Sequence, residues 1–192
     1  MKRRPLSVLV LAALGLSGCG YKSLQQQDEA VKTSWSEVVS QYQRRADLIS
    51  SLADSVKGCA ASEQTLIGAT ESGARTGSEQ RSAPAVLSDP AAFASYQALQ
   101  EQLTRSLGNL IGLAATYPQL QTDANFRDLR AQLAETEHRI ADARNRYIEA
   151  VRTFNNTVRT FPTDFTARLF DFRPKPNLPA VPATDTLTAS GP

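Results

Sequence analysis

The sequence predicts an all-α protein, an elongated antiparallel bundle of three long helices plus a short fourth. Three observations carry that expectation. Apolar residues recur in alternating steps of four and three, the 3.5-residue repeat of coiled-coil-like helices that cross at shallow angles. No stretch alternates apolar and polar residues between turn pairs, so nothing reads as a strand. Beyond Pro5, prolines are confined to a few places, at Pro84 and Pro90, Tyr117-Pro118, Pro162 and the C-terminal end.

The first long run is expected from near Leu24 to about Ala74. Its stripe holds Val31, Trp35, Val38, Tyr42, Arg45, Ile49, Leu52, Val56, Cys59, Glu63 and Leu66, widened by Val39, Leu48 and Ile67. A helix of that length would measure about 75 Å. Gly58 and Gly68 weaken its continuity, each costing about 1 kcal/mol relative to Ala. Gly73, Gly77, Ser78, Pro84 and Pro90 then mark a polar connection. Asp89-Pro90 is a start signal, a carboxylate able to cap free N–H groups followed by proline at the first helical position. The second helix runs to about Thr116, with Phe93, Tyr96, Leu99, Leu103, Leu107, Leu110 and either Ile111 or Ala114 turned inward, and Tyr117-Pro118 stops it. The third starts near Thr122 or Asp123 and carries Phe126, Leu129, Leu133, Ile140, Tyr147, Val151, Phe154, Val158 and Phe161 until Pro162. A short element at 163–170 presents Phe165, Leu169 and Phe170 across one end. From Pro174, closely spaced prolines exclude helix, and 173–192 is expected to be a disordered or extended tail.

The N-terminus reads as a secretory signal peptide over residues 1–18. Lys2, Arg3 and Arg4 form a positive segment, and Pro5 to Gly15 is uncharged and mostly apolar. The uncharged stretch ends by Lys22, short of the roughly 20 apolar residues that a spanning helix needs. Leu16-Ser17-Gly18-Cys19 resembles the lipobox of bacterial lipoproteins. That resemblance makes Cys19 the lipidation site and first mature residue, carrying diacylglyceryl and fatty-acyl groups such as palmitate. Residues 19–23 are then a short tether before a bundle over 24–172. Gly20 rather than Asp after the anchor resembles lipoproteins sent to the outer membrane, on its periplasmic face.

The whole chain has 21 Lys+Arg and 19 Asp+Glu; without Lys2, Arg3 and Arg4 the balance is 18 against 19, a net charge of −1. No polybasic patch remains to attract nucleic acid or anionic lipid. With Cys19 acylated, Cys59 has no intrachain partner, so the fold relies on its apolar core, in which Cys59 acts as a small hydrophobe.

His138 is the only histidine and lies on the polar face of its helix. Glu135 and His138 form one Glu-x-x-His pair, but a di-iron bundle needs two such pairs and further carboxylates. No catalytic residue, metal site, cofactor or small-molecule substrate is evident, and the expectation is a protein that is not an enzyme. Arg44, Arg45 and Asp47 are expected to pair with Glu135, Glu137 or Arg144, and Asn145, Asn155 and Asn156 to hydrogen-bond across helices. Polar groups of this kind fix helix register.

Several stretches stand together in order, beginning with Tyr42-Gln43-Arg44-Arg45-Ala46-Asp47-Leu48-Ile49, Val56-Lys57-Gly58 and Glu63. Tyr117-Pro118-Gln119-Leu120, Asn125-Phe126-Arg127-Asp128-Leu129 and Leu133-x-x-Thr136-Glu137-x-Arg139-Ile140 follow. With Arg144-x-x-Tyr147, Ala150-Val151, Phe154-Asn155 and Phe161-Pro162, the set resembles the LemA family over about 30–172. It implies an elongated helical bundle attached to a bacterial membrane, without established enzymatic activity. Family members usually have Pro-Asn at Ser50-Ser51 and Tyr at Cys59, and are typically held by a transmembrane helix rather than a lipobox. The functional expectation is a membrane-anchored scaffold contacting an unidentified envelope protein. The alternative is an adaptor or regulator of an envelope protease or stress response. A hydrolase would require His138.

Overall fold

The structure, a computed structural model, describes residues 4–58, 64–79 and 83–179, with side chains described for 20–58, 64–76 and 86–179. Among the described residues seven helices follow one another: α1 Arg4–Lys57, α2 Gln64–Glu79, α3 Ala83–Ser88, α4 Pro90–Ala114, α5 Pro118–Thr122, α6 Ala124–Arg159 and α7 Thr163–Leu169. No strand occurs among the described residues. The all-α expectation therefore holds. The chain divides into two compact units, Trp35–Arg144 and Met1–Ser34 with Asn145–Pro192.

In the unit Trp35–Arg144, the α1 stripe is buried as its spacing requires: Trp35, Val38, Tyr42, Arg45, Ile49, Leu52 and Val56 are all inside. The run does not continue to Ala74. It stops at Lys57, where Gly58 turns, and Lys57 is ion-paired with Glu71 of α2. Fourteen positions along one unbroken helix would separate those residues by about 21 Å, so the chain has turned back before reaching Glu71. The break also changes register, since α2 buries Ile67, Thr70 and Ala74 while Leu66 is half-buried. Cys59 and Glu63 lie outside the described residues. Both α2 and α3 pack on α4, and one apolar cluster joins Ile49, Val56 and Ile67 to Leu103, Leu110 and Phe126.

The expected Asp89 cap is in place, and of Thr122 and Asp123 it is Asp123 that caps α6. The Asp89 side chain accepts from the Ala91 N–H at 2.8 Å, and that of Asp123 accepts from the Phe126 N–H at 2.7 Å. Between α4 and α6, Leu120 is buried in the same apolar cluster, and Gln121 Nε2 donates to the Ala114 carbonyl at 3.1 Å. Tyr117-Pro118 thus stops α4, and the residues after it plug and cap the exposed helix end. Buried Thr136 is satisfied by its own helix, donating to the Gln132 carbonyl at 2.7 Å.

Gly108 and Gly112 sit within α4 with open space where a Cβ would stand. Each Gly→Ala change is expected to stabilise the protein by about 0.5–1 kcal/mol through helix propensity alone. The double variant should unfold at higher urea concentration with an unchanged denaturant slope.

In the other unit, α1 begins well before Leu24. Residues 20–23, expected as a tether, are already helical, because Gly20 alone does not stop a helix and Tyr21 stacks against Phe170, ring centroids 4.6 Å apart. The core of this unit includes Leu24, Val31, Tyr147, Val151, Phe154, Val158, Ala167 and Leu178. The expectation reverses at the α6–α7 end. Phe161, Phe165, Leu169 and Phe170 are exposed, whereas Thr166 and Ala167 face inward. The Phe161–Pro162 peptide bond is cis.

Residues 172–179 are extended, as the prolines require, but they are held rather than free. Prolines remove backbone donors without preventing packing, and the Lys175 N–H and carbonyl and the Pro176 carbonyl find partners on α6. Residues 180–192 of the expected tail lie outside the described residues.

Candidate functional site

Two polar arrangements stand out from the helical framework, one in each unit. In Trp35–Arg144, Arg45 is 4% exposed and draws α1, α4 and α6 together. Its guanidinium donates to Gln100 Oε1 at 2.6 Å, to the Gln100 carbonyl at 3.3 Å and to Thr104 Oγ1 at 3.1 Å. Glu137 stands 3.5 Å away, and the Tyr42 ring lies beneath the guanidinium, 5.1 Å from its centroid. The sequence points to Glu137 but not to Gln100, which is itself buried and closer. A lone Gln on an apolar face carries no distinctive signal until the arginine opposite it is seen.

The neighbouring aromatic layer is Trp35, Phe93, Tyr96 and Tyr42. Trp35 lies 5.2 Å from Phe93 and 5.7 Å from Tyr96, centroid to centroid. Burial pushes the Tyr96 phenol well above its ordinary range; the adjacent Tyr42 adds to this, and Arg45 opposes it. The phenol therefore stays neutral throughout the physiological range. This cluster fixes three helices relative to one another through a planar, multidentate cation, a task suited to arginine.

In the other unit, the C-terminal strap 172–179 is fastened to α6 and α1. The Asn155 side chain makes two hydrogen bonds with the Lys175 backbone, Nδ2 donating to its carbonyl at 2.9 Å and Oδ1 accepting from its N–H at 2.8 Å. Tyr147 Oη donates to the Pro176 carbonyl at 2.7 Å. The Lys175 ammonium bonds Asp28 of α1 at 3.1 Å and lies over the Phe154 ring, 5.8 Å from its centroid. Upstream, α7 ends with the Phe172 N–H returning to the Ala167 carbonyl at 2.9 Å, while Asp171 adopts a left-handed conformation with φ 55°. That is the Schellman pattern, with aspartate where glycine is commonest.

Asp28 also pairs with Lys32 at 2.8 Å. Burial works against its ionisation, but hydrogen bonds from Lys32 and Lys175, aided by their charges, outweigh it and hold the carboxyl below 3.8. Its stabilising contribution is thus complete at neutral pH. It begins to fall as pH drops past the unfolded value of 3.8 and is lost below the folded one. The stability difference between the native protein and Asp28→Asn is expected to be constant near neutral pH and to shrink as the pH falls through 3.8 and below, as read by thermal melts at each pH.

The other site residues expected from sequence are not brought together. Arg44 and Asp47 are exposed, and Asp47 takes a hydrogen bond from Gln43 on its own helix. Glu135 pairs with Arg139 at 2.9 Å, and His138 is exposed. Among the described residues no cluster of His, Cys, Asp and Glu has the arrangement of a metal site. Asn155 makes its expected cross-element bond, to the strap rather than to a helix; Asn145 and Asn156 are exposed. Cys19 falls within α1, its side chain outside the described residues. No helix among the described residues is long and apolar enough to cross a membrane.

The class defined by these features is an all-helical protein whose long helices are registered by buried polar contacts. The profile of the LemA family matches residues 34–188, most of the chain, and the chain belongs to that family. No curated protein matches it. Residues that carry the sequence resemblance have structural work here: Tyr42, Arg45 and Glu137 at the polar centre, Leu120 as the plug, Tyr147 and Asn155 under the strap.

Proposed function

We propose that the chain is a non-enzymatic lipoprotein of the bacterial envelope, anchored through Cys19, which presents a helical surface to another envelope protein. The carrying observation is the positive segment Lys2-Arg3-Arg4, the apolar run and Leu16-Ser17-Gly18-Cys19, with α1 running on past Cys19 without a break. A lipid on Cys19 leaves few residues between membrane and folded helix, which suits a scaffold held close to the bilayer rather than one on a long tether. The buried Arg45 centre and the pinned strap each hold the elements of their own unit in register, which suits a contact surface.

The test is photo-crosslinking in living cells from exposed positions Gln102, Arg105, Arg130 and Asp142. The expected result is the same discrete crosslinked species from neighbouring positions, lost when Cys19→Ser blocks lipidation and leaves the unprocessed precursor. Crosslinks that are absent, or scattered over abundant proteins, would remove the scaffold reading. Capture of a protease or stress-pathway component would specify the adaptor role within it.

A further inference from the structure

The helix α7 and its flanks carry an apolar surface that the fold leaves uncovered. Phe161, Phe165, Leu169 and Phe170 are 84, 70, 68 and 51% exposed, and Tyr21 is 37% exposed. Phe165 and Leu169 stand one turn apart on the face opposite buried Thr166 and Ala167. Tyr21 of α1 touches Phe170, which joins the two elements at this surface. Soluble surfaces rarely leave this many large apolar side chains together without an occupant.

The occupant is indicated by where the chain leads. Gly20 lies against α7: a Cβ placed on it would come 3.3 Å from Thr166 Oγ1 and 3.5 Å from Thr163 Cγ2. Cys19 is the very next residue toward the N-terminus, preceded by the apolar run to Pro5. We infer that the Phe161–Phe170 rim, with Tyr21, is a membrane-interface element that seats in the lipid headgroup region beside the anchor. This inference rests on the reading of Cys19 as the lipidated residue.

The composition fits that medium. Aromatic side chains favour the boundary between headgroups and acyl chains, and exposed Arg159, Arg168 and Arg173 can lie with their stems along apolar surface and their charges among phosphates. Between residues 159 and 173 these three arginines face two aspartates, Asp164 and Asp171. Lipid on Cys19 supplies the attachment, and the rim fixes which end of the unit meets the bilayer. An apolar surface of this kind lies about 5–10 Å deep at most, well short of crossing.

The test uses the full chain produced in a bacterium and reconstituted into phosphatidylethanolamine–phosphatidylglycerol vesicles doped with lipids brominated along the acyl chain. Tryptophan is introduced as Phe165→Trp or Leu169→Trp, with Glu101→Trp as the exposed control and buried Trp35 as a common background. The expected result is several-fold stronger bromolipid quenching at positions 165 and 169 than at 101, with blue-shifted emission. Quenching no greater than at 101 overturns the inference, as does shielding of both positions by contacts between copies of the chain. Intact-mass measurement of the same sample reads acylation of Cys19 separately. An acylated chain with unquenched reporters rejects the interface and leaves the anchor standing, whereas quenched reporters on an unacylated chain support the interface and reject the anchor. In a second arm, Phe161→Ser, Phe165→Ser and Leu169→Gln are combined. These exposed changes should leave the melting temperature nearly unmoved while raising protease cleavage near Arg168 several-fold on vesicles; an unchanged cleavage rate counts against the inference.

Discussion

Arg45→Ala is expected to destabilise the protein by about 1–3 kcal/mol, the usual cost of leaving a buried polar group unpaired, with the lost packing of its stem in addition. The reason is what remains. Gln100 is 6% exposed and would keep a buried side-chain oxygen whose partner had gone. Thr104 still donates to the Gln100 carbonyl at 2.9 Å and is less affected. Glu137, with its side chain 32% exposed, can recover water, so most of the loss falls on the α1–α4 contact. Arg45→Lys should repair only part of it, since one ammonium cannot reproduce the fork reaching both oxygens of Gln100 and the Thr104 hydroxyl. The combination Arg45→Met with Gln100→Leu should recover most of the stability, because both polar partners leave together and the volume is kept. Arg45 Nε is buried without a hydrogen bond even in the native protein, a cost that the apolar pair removes. Urea denaturation of the single and paired variants gives the coupling directly. A purely additive cycle would contradict the geometry.

Trp35→Ala should have a larger effect, about 3–5 kcal/mol, by opening a cavity that its neighbours cannot close. Trp35 is 1% exposed and is the sole tryptophan. Phe93 and Tyr96 lean on its ring from α4, so truncation removes contacts from both helices. Trp35→Phe keeps most of the apolar volume and should cost markedly less. In the native protein, fluorescence from Trp35 should be blue-shifted and resistant to iodide until the unit Trp35–Arg144 unfolds. Emission already quenched under native conditions would contradict its burial.

Much of this fold is legible in the sequence because it depends on spacing. The α1 stripe from Val31 to Val56, the Asp89 and Asp123 caps and the Tyr117-Pro118 stop each follow from local rules, and all appear where those rules place them. Legibility fails where tertiary contacts decide the outcome. Between Lys57 and Gln64 the apolar period continues plausibly, and only the Lys57–Glu71 contact shows that the chain has reversed. At α7 the apolar pattern alone suggests a lid over the core. The two smaller residues, Thr166 and Ala167, take the inward face instead, and the large ones are left outside. In the strap, proline density excludes helix but says nothing of packing; the partners that hold it, Asn155 and Tyr147, lie about 20 to 30 positions upstream. Gln100 is hidden for the same reason, its importance being set by Arg45 on another helix.

Cys19 connects the sequence to the proposed role, and the most direct test is the chemical state of the mature N-terminus. Protein extracted from the membrane fraction of the native bacterium should yield, by mass spectrometry, an N-terminal peptide that starts at Cys19 and carries diacylglyceryl and fatty-acyl groups. Cys19→Ser should accumulate as the unprocessed precursor. A native peptide that retains residues 1–18, or that begins elsewhere and leaves the Cys19 thiol free, would contradict the anchored reading.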